Sequence, residues 1–395
     1  MPRTIEVISR DRLHVSAPEV YAEWREKAPV IQVDNGAYLV LRQADMVALL
    51  NDQQTRQAEA DFLDMRGVGE GPLRDFFENI LLLSNGDKHK RRRAPLARTF
   101  AFKAITALRP RIRQIVDDLL SELLHFHEIE MTKTFSSVLP ARVIADMIGL
   151  PESDIPEFTS TAYKVAKAFS GSWGVEDLPD IENAVVALER YVEIACASRD
   201  KTADTFLNSY LREVEQSSDL CHEEMIAQLM ALVLGGSDTT RAALTIQLAL
   251  LLEHRDQWVE LVCAPELVAS AVAESLRYEP SVASLPRVGL RDLDLDDCII
   301  PSGKPISLVT MSAMRDPQAH VLPDQFDIHR PQEKWHWVFG GGAHRCLGEA
   351  LARTELEEAL HGLIRTMPKV EKAGPNLVVK GFSGIRSVEP FVIAW

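Results

Sequence analysis

The chain has 395 residues, 46% of them apolar, which is enough to build a large buried core. Its formal net charge of −15 argues against binding nucleic acid through bulk charge. No apolar run approaches the roughly 18 residues of a membrane-spanning helix, and the N-terminus has no apolar region of signal-peptide type. We therefore expect a cytoplasmic protein with no membrane anchor and no nucleic-acid partner.

The first predicted elements are a hairpin and a long amphipathic helix. Residues 30–33 and 38–41 look like two short strands around Asn35-Gly36, a typical hairpin turn. Residues 105–124 carry apolar side chains at a spacing of three and four, which predicts a helix with one buried face.

A second long helix and further strands follow. Residues 222–254 are apolar on nearly every side, which predicts a buried helix that crosses the middle of the protein. Residues 293–300 run as a strand into a turn at 301–303, and residues 306–310 predict the next strand. Gly and Pro are spread thinly and no linker is evident. The sequence therefore predicts a mainly α protein with a small β-rich region, folded as a single domain over residues 1–395.

Cysteine usage limits the metal chemistry that is available. The five cysteines lie far apart along the chain: Cys196, Cys221, Cys263, Cys298 and Cys346. An odd number at long spacing argues against a disulfide framework, and also against zinc or iron–sulfur sites with short Cys-x-x-Cys spacing. Any metal chemistry must therefore use one cysteine alone.

Cys346 stands in an unusual loop. Three glycines, residues 340–342, precede it, and a helical pattern begins at Leu347. A position near a helix N-terminus favours the thiolate, the form that binds metals, and glycines let a flat cofactor approach the backbone. Two alternatives exist: a buried, inert cysteine, and a dinucleotide-binding loop. The second lacks the third fingerprint glycine and the surrounding βαβ unit.

The same loop resembles the haem-binding signature of cytochromes P450 at all six fixed positions. These positions are Phe339, Gly340, Gly342, His344, Cys346 and Gly348. The resemblance implies that Cys346 is the thiolate ligand of haem b and that Phe339, Gly340 and Gly348 belong to its binding loop. It also implies the family fold, with the haem between a long central helix and the cysteine loop with its following helix.

Glu274 and Arg277 are similar to the ExxR element of the same family. Residues three apart share one helix face and can pair, and an ordinary surface pair is the simplest alternative. The resemblance implies a structural role in which the pair links to Arg330 and anchors the cysteine loop.

The long helix contains the unusual run 235–240, Gly-Gly-Ser-Asp-Thr-Thr. Each mid-helix glycine costs roughly 1 kcal/mol, so the run predicts either a kink or a functional site. It resembles the family's oxygen-binding element. The resemblance implies that the helix opens at Gly235 and Gly236 for O2, that Thr239 hydrogen-bonds the bound O2, and that Asp238 relays protons from solvent.

Four basic residues match positions that bind haem propionates in the family. They are His89, Arg93, Arg287 and His344. The guanidinium group is well shaped for carboxylates, although a solvated basic face is the alternative for the segment around His89. Pro95 is expected to kink or end the helix that carries His89 and Arg93.

Positive charge is concentrated between Gly86 and Arg113. This segment has ten Lys or Arg residues and one acid, Asp87, in a chain of net charge −15. Such segregation suggests an acidic partner. We expect a separate acidic ferredoxin, or a flavodoxin, with its NAD(P)H reductase.

The resemblance also places candidate substrate contacts, for which plain core packing is the alternative. The segments are 65–83, 166–173, 230–234, 282–285 and 382–383. Within them we select Met230, Leu234, Val282 and Leu285, and we add Gly235, which follows Leu234 directly. These segments are mainly apolar, which favours a small apolar substrate such as a terpenoid or an aromatic compound.

The expected function is therefore that of a monomeric haem-thiolate monooxygenase that uses O2 as co-substrate. A peroxide-dependent haem oxidant is one alternative, and the Asp238-Thr239 pair argues against it because preformed peroxide needs less proton delivery. A non-catalytic haem sensor or electron carrier is another. Gly235 and Gly236 argue against a carrier, which would not need a distal cavity.

Overall fold

A computed structural model of the chain describes residues 3–169, 173–217, 219–332 and 336–395, and all their side chains except those of 102–104 and 217. Residues 170–172 of the predicted substrate segment 166–173 lie outside the described residues. So do Trp335, at the start of the segment that leads into the cysteine loop, and Met1 and Pro2 at the N-terminus.

Helices account for most of the secondary structure of the described residues. They are α1 (Arg10–Lys27), α2 (Gln43–Asn51), α3 (Asp61–Asp64), α4 (Pro72–Asn79), α5 (Gly86–Thr99), α6 (Phe102–Leu123), α7 (Val138–Ile148), α8 (Ile155–Ala166), α9 (Leu178–Ser198), α10 (Phe206–Ser217), α11 (His222–Glu253), α12 (Arg255–Cys263), α13 (Val268–Tyr278), α14 (Thr310–Ala313) and α15 (Glu349–Thr366).

The strands are short. They are β1 (Val7–Ile8), β2 (Val30–Val33), β3 (Tyr38–Val40), β4 (Thr55–Arg56), β5 (Glu128–Glu130), β6 (Leu285–Gly289), β7 (Leu293–Leu295), β8 (Cys298–Ile300), β9 (Pro305–Leu308), β10 (Glu371–Lys372), β11 (Val379–Lys380), β12 (Ser387–Val388) and β13 (Val392–Ala394).

The chain forms two compact units. The first comprises residues 1–58, 246–346 and 376–389, and the second comprises 59–245, 347–375 and 390–395. The prediction of a single domain over residues 1–395 stays a prediction. Within the described residues, no helix combines the length and the apolar character needed to span a bilayer.

The first unit is built on a six-stranded sheet of order β1-β2-β3-β9-β6-β4. Successive side chains of a strand point to opposite faces, and the hydrophobic core follows that alternation. Ile31 and Leu39 pack on one side with α1, while Val30 and Val40 pack on the other side with α2. The sheet thus has two buried faces.

The second unit is mainly helical. It contains α3 to α10, most of α11, α15 and a three-stranded sheet of order β10-β13-β5. Helices α6 and α15 pack closely at Gly362, where a β-carbon would lie 2.6 Å from Val116 and 2.7 Å from Leu120. A glycine is required there because the helix faces leave no room for a side chain.

Several predicted elements are confirmed. The hairpin forms between β2 and β3, with Val30 paired to Val40. The helix predicted at 105–124 is α6, and its apolar face is buried at Ile112, Val116 and Leu120. The helix predicted at 222–254 is α11.

Two local predictions are wrong. The strand predicted at 293–300 is a hairpin, β7 and β8, which turns at Asp296 and Asp297 with φ of +56° and +64°. Two consecutive positive φ values make a tight hairpin turn, and Asp tolerates them better than most residues. Of the two outcomes expected at Pro95, a kink or the end of the helix, the end is wrong, because α5 continues to Thr99.

Candidate functional site

The cysteine loop lies at the end of the segment 246–346 of the first unit. The backbone N–H of Cys346 donates to the Phe339 carbonyl at 2.9 Å, which closes the loop. Gly340 and Gly342 have φ of +72° and +61°, values that favour glycine. The Cys346 side chain is exposed. It is therefore not the buried, inert thiol of the alternative hypothesis.

Gly342 has a second reason to be a glycine. A β-carbon there would lie 2.6 Å from the carbonyl oxygen of Leu50, in α2. At Gly340 the nearest atom to a β-carbon would be Leu285 Cδ1 at 3.5 Å, an ordinary contact. Backbone conformation thus explains Gly340, and both conformation and packing explain Gly342.

The ExxR element forms the predicted cluster. Arg277 donates twice to the Glu274 carboxylate, at 2.7 and 2.8 Å, and Arg330 donates to the same carboxylate at 3.0 Å. Glu274 and Arg277 are only 3% and 4% exposed. Arg277 also donates to the carbonyls of Met314 and Pro323 at 2.9 and 2.8 Å. The pair thus organises the chain between α13 and the cysteine loop.

Arg287 is a buried cation in β6. It is 6% exposed, and its Nη1 donates to the neighbouring Pro286 carbonyl at 2.7 Å. Burial lowers the pKa of Arg287 to about 10. Among the described residues no carboxylate lies within ion-pair distance of it. A buried guanidinium of this kind is stabilised by an anion, as a propionate would provide.

His89 and Arg93 lie one turn apart on α5. Burial, and after it the charge of Arg93, lower the pKa of His89 to about 4. An anionic group bound here would reverse that effect because it favours the imidazolium. His344 lies half-buried in the turn before Cys346. The first unit thus carries an exposed thiol, a half-buried histidine and a buried guanidinium, and the second unit carries His89 and Arg93.

Helix α11 differs from the prediction at its two glycines. The helix is continuous through Gly235 and Gly236 and does not open. A β-carbon on Gly236 would lie 2.6 Å from Ile144 in α7, so this glycine serves helix packing. Gly235 is exposed and would meet nothing within 4 Å. Thr239 donates to the Gly235 carbonyl at 3.1 Å.

Asp238 has a partner that sequence reasoning missed. Arg241, on the next turn of α11, donates through Nε to Asp238 Oδ1 at 3.0 Å and also through Nη2. The i,i+3 spacing was a readable signal for this ion pair. The acid of the predicted relay is therefore held by a neighbouring guanidinium.

The predicted substrate residues are mostly packed. Met230 and Leu234 are 3% and 6% exposed in α11, while Val282 and Leu285 are half-buried. Only Gly235 among the five is exposed. An aromatic cluster is formed by three rings from the predicted segments, Phe76, Phe77 and Phe169, with Phe77 stacked on Phe169 at 4.8 Å.

The structure corrects the picture of a free basic segment at 86–113. Arg91 and Arg92 both bind Glu224, and Arg92 is 1% exposed. Four further arginines also form ion pairs within the second unit: Arg98 with Glu213, Arg109 with Glu357 and Glu358, Arg111 with Asp146, and Arg113 with Glu358. The sequence hid these pairs because the acids lie far along the chain.

Three cations of α5 are exposed: Lys88, Lys90 and Arg98, of which Arg98 is paired with Glu213. The side chain of Lys90 is 78% exposed, and it pairs with Asp87, which is itself 97% exposed. Ion pairs between exposed groups are weak. The basic surface that α5 offers is therefore smaller than the composition suggested.

Glu355 in α15 is a second feature that the sequence did not reveal. Its side chain is fully buried, and neither carboxylate oxygen has a hydrogen-bond partner among the described residues. Burial raises the pKa of Glu355 well above its usual value. Burial thus favours the protonated form of this carboxyl group.

We expect Glu355→Gln to stabilise the protein increasingly as pH rises above about 4.5, the ordinary pKa of glutamate. A raised folded-state pKa gives a contribution to stability that is fully present below the unfolded-state pKa and is lost as pH rises through the folded-state value. Glutamine lacks this loss, worth up to about 1.4 kcal/mol per pH unit. Thermal unfolding from pH 5 to 8 measures it. The exposed Glu371→Gln is the control, and parallel curves for Glu355→Gln and the wild type would contradict the expectation.

Comparison with known proteins identifies the family. The family described as Cytochrome P450 matches residues 265–368. The plant-inducible cytochrome P450-pinF1 of Rhizobium radiobacter is 39% identical over 98% of this chain and 92% of that protein. Luteothin monooxygenase of Streptomyces thioluteus is 30% identical over 91% and 88%. The crystal structure of CalO2 superimposes with a TM-score of 0.90, at 26% identity and over 97% of this chain and 96% of that one.

The chain belongs to the cytochrome P450 family. It is a P450 monooxygenase, a haem-containing oxidoreductase that uses O2. The predicted fold class is thereby confirmed: a mainly α protein with a small β region and the architecture of this family.

Proposed function

We propose that this protein oxidises a small apolar molecule, by hydroxylation or a related oxygen insertion, with two electrons from a separate ferredoxin. It works as a cytoplasmic monomer with haem b. The observation that carries the proposal is the exposed Cys346 in its closed glycine loop, three residues before α15 begins at Glu349. All six signature positions of the loop are present.

Five residues would hold the cofactor. Cys346 would ligate the iron, and the propionates would be bound by His89, Arg93, Arg287 and His344. Bound there, the thiolate-ligated haem supplies the activation of O2. The buried Arg287 and the neutral His89 support the assignment because each gains from a nearby carboxylate.

Asp238 and Thr239 would deliver protons. Asp238 is 15% exposed at its side chain, which suits a group that passes protons inward from solvent. The Thr239 hydroxyl now donates to the Gly235 carbonyl at 3.1 Å, and it can turn from that carbonyl towards another acceptor. This acid–alcohol pair supports O2-dependent chemistry over peroxide-dependent oxidation.

The apolar substrate class rests on the predicted pocket segments. Met230 and Leu234, which lie just before the exposed Gly235 in α11, have buried apolar side chains. A β-carbon on Gly235 would meet no atom within 4 Å, and a simple electron carrier would not need such open space in the middle of a helix. We propose a terpenoid or an aromatic compound as the substrate class.

Two measurements test the proposed function together. The reduced protein with carbon monoxide should show the red-shifted Soret band of thiolate-ligated haem. NADH oxidation, reconstituted with an acidic ferredoxin and its reductase, should require O2 and rise when a compound that shifts the haem spin state is added. A normal Soret position, or oxidation that proceeds with peroxide but never with O2, would rule the proposal out.

The partner proposal predicts that Lys88→Glu with Lys90→Glu slows electron transfer at least tenfold at low salt. The two exposed lysines lie beside His89 on α5 and attract an acidic partner over a Debye length of about 30 Å at an ionic strength of about 0.01 M. The rate should also lose most of its dependence on ionic strength. Stopped-flow reduction under carbon monoxide measures it.

The matched control is Lys201→Glu with Lys369→Glu, which makes the same change in net charge at exposed positions elsewhere in the second unit. This double variant should be reduced at the wild-type rate. Equal slowing by both double variants would show that only overall charge matters, and would remove α5 as the docking surface. Arg91 is unsuitable for this test because it binds Glu224.

A further inference from the structure

The Asp238 carboxylate is held through one of its two oxygens. Both Nε and Nη2 of Arg241 donate to Oδ1. Among the described residues, no donor reaches Oδ2. An ionised carboxylate accepts hydrogen bonds at both oxygens. The structure therefore leaves Oδ2 as the oxygen that is able to take up a proton and pass it on.

Arg241 is itself held by Tyr163 of α8. The guanidinium carbon lies 4.8 Å from the centroid of the tyrosine ring, a cation–π contact. The tyrosine hydroxyl donates to the Ser137 carbonyl at 3.1 Å. Burial raises the pKa of Tyr163 to about 12, so the hydroxyl keeps its proton near neutral pH.

The three side chains thus form a chain of contacts with one fixed end. Ser137 immediately precedes α7, so its carbonyl belongs to the packed helical body. Arg241 and Asp238 are 23% and 15% exposed, which limits competition from water. A planar guanidinium can stack on a ring and donate two N–H groups to one oxygen at the same time, whereas a lysine ammonium cannot.

We propose that Arg241 and Tyr163 are positioning residues for proton delivery: stacked on Tyr163, Arg241 fixes the Asp238 carboxylate so that Oδ2 stays open for proton transfer. The inference rests on the proposed function, in which Asp238 relays protons. Proton transfer needs donor and acceptor within about 2.6–3.2 Å of each other or of one shared water. A carboxylate that rotates freely meets that condition only part of the time.

The activity test compares turnover in H2O and in D2O. The probe is styrene, a small apolar aromatic compound, and the rate is that of O2-dependent NADH oxidation with an acidic ferredoxin and its reductase. Arg241→Gln and Tyr163→Leu should each lower kcat roughly tenfold or more and leave KM for styrene within about twofold. The ratio of rates in H2O and D2O should at least double, because proton delivery becomes rate-limiting.

Conservative variants separate positioning from general damage. Tyr163→Phe keeps the ring under the guanidinium and should retain most of the turnover. Arg241→Lys keeps the positive charge but lacks the planar guanidinium, so its kcat should lie between those of the wild type and Arg241→Gln. Arg142→Gln, which removes an ion pair with Glu122 from α7, is the control and should change neither kcat nor the isotope ratio.

A second readout does not depend on turnover. Arg241→Gln, Asp238→Asn and the double variant form a cycle of thermal unfolding midpoints. Coupled residues give non-additive losses, so the double variant should be about as stable as the less stable single variant. Fully additive losses together with an unchanged isotope ratio would overturn the inference.

The possible failures are distinguishable. If the wild type lacks O2-dependent oxidation, the proposed function fails, and so does the proposed proton relay through Asp238. If the wild type turns over and Arg241→Gln matches it in kcat and isotope ratio, only the positioning role fails. Faster turnover by Arg241→Gln would also overturn it, since Arg241 would then restrain Asp238 and not present it.

Discussion

Cys346→Ser is expected to abolish the red-shifted carbon-monoxide band and to reduce oxygenation below detection. A serine hydroxyl is not ionised near neutral pH, so the variant would have no thiolate with which to ligate the haem iron. The loop itself should persist, because it is closed by the backbone bond from Cys346 N–H to the Phe339 carbonyl, which serine can also make.

Cys346→His separates loss of the thiolate from loss of the haem. Imidazole is a good iron ligand, so this variant can keep the cofactor while the carbon-monoxide band returns to an ordinary Soret position. The control is Cys263→Ser, another exposed cysteine of the first unit. A Cys346→Ser protein that kept the red-shifted band would refute the assignment of the ligand.

Glu274→Gln is expected to be the most destabilising conservative change in the first unit. It removes the charge that compensates Arg277, which is 4% exposed, and Arg330. Breaking a buried pair by removing one partner typically costs about 3–5 kcal/mol, because the other charge stays buried without compensation. We expect an unfolding midpoint lower by several degrees and a lower haem content after purification.

The matched control for this prediction is Glu260→Gln. Glu260 contacts His329 at 2.9 Å, but both side chains are about half exposed. Pairs of that kind contribute about 1 kcal/mol or less, so this variant should unfold close to the wild type. Equal midpoints for the two variants would show that the buried cluster has no special weight in stability.

The parts of the site that could be predicted from sequence are those determined by residues close together in the chain. The glycine loop was readable because positive φ at Gly340 and Gly342 restricts the residue type at each position. The pairing of Glu274 with Arg277 was readable because the two residues are one helical turn apart. In both cases the physical cause lies within a few residues of the signal.

What was missed depends on residues that are distant in sequence. The acid that neutralises Arg91 and Arg92 is Glu224, more than 130 residues away, so the composition of the segment suggested a larger free basic surface than the structure has. Gly236 is explained by Ile144, on another helix. The burial of Glu355 was equally hidden, since a helical pattern does not show which polar position the packing will enclose.

The turn at Asp296 and Asp297 was missed for a different reason. Tight hairpin turns of this kind usually contain Asn-Gly or Asp-Gly. Two consecutive aspartates are less typical of such a turn. The Pro-Ser-Gly run at 301–303 is a stronger turn sequence, so the turn was predicted there. The error changes the β region only, and the cysteine loop is unaffected by it.

The order of the six-stranded sheet has a consequence for biosynthesis. Strand β3, at Tyr38–Val40, pairs in parallel with β9, at Pro305–Leu308. At about 5–20 residues per second, a ribosome needs roughly 15–50 s to produce the second strand after the first. Strand β3 therefore lacks its partner β9 during most of translation. Nascent chains stalled before residue 305 should be open to protease and chaperone in this segment.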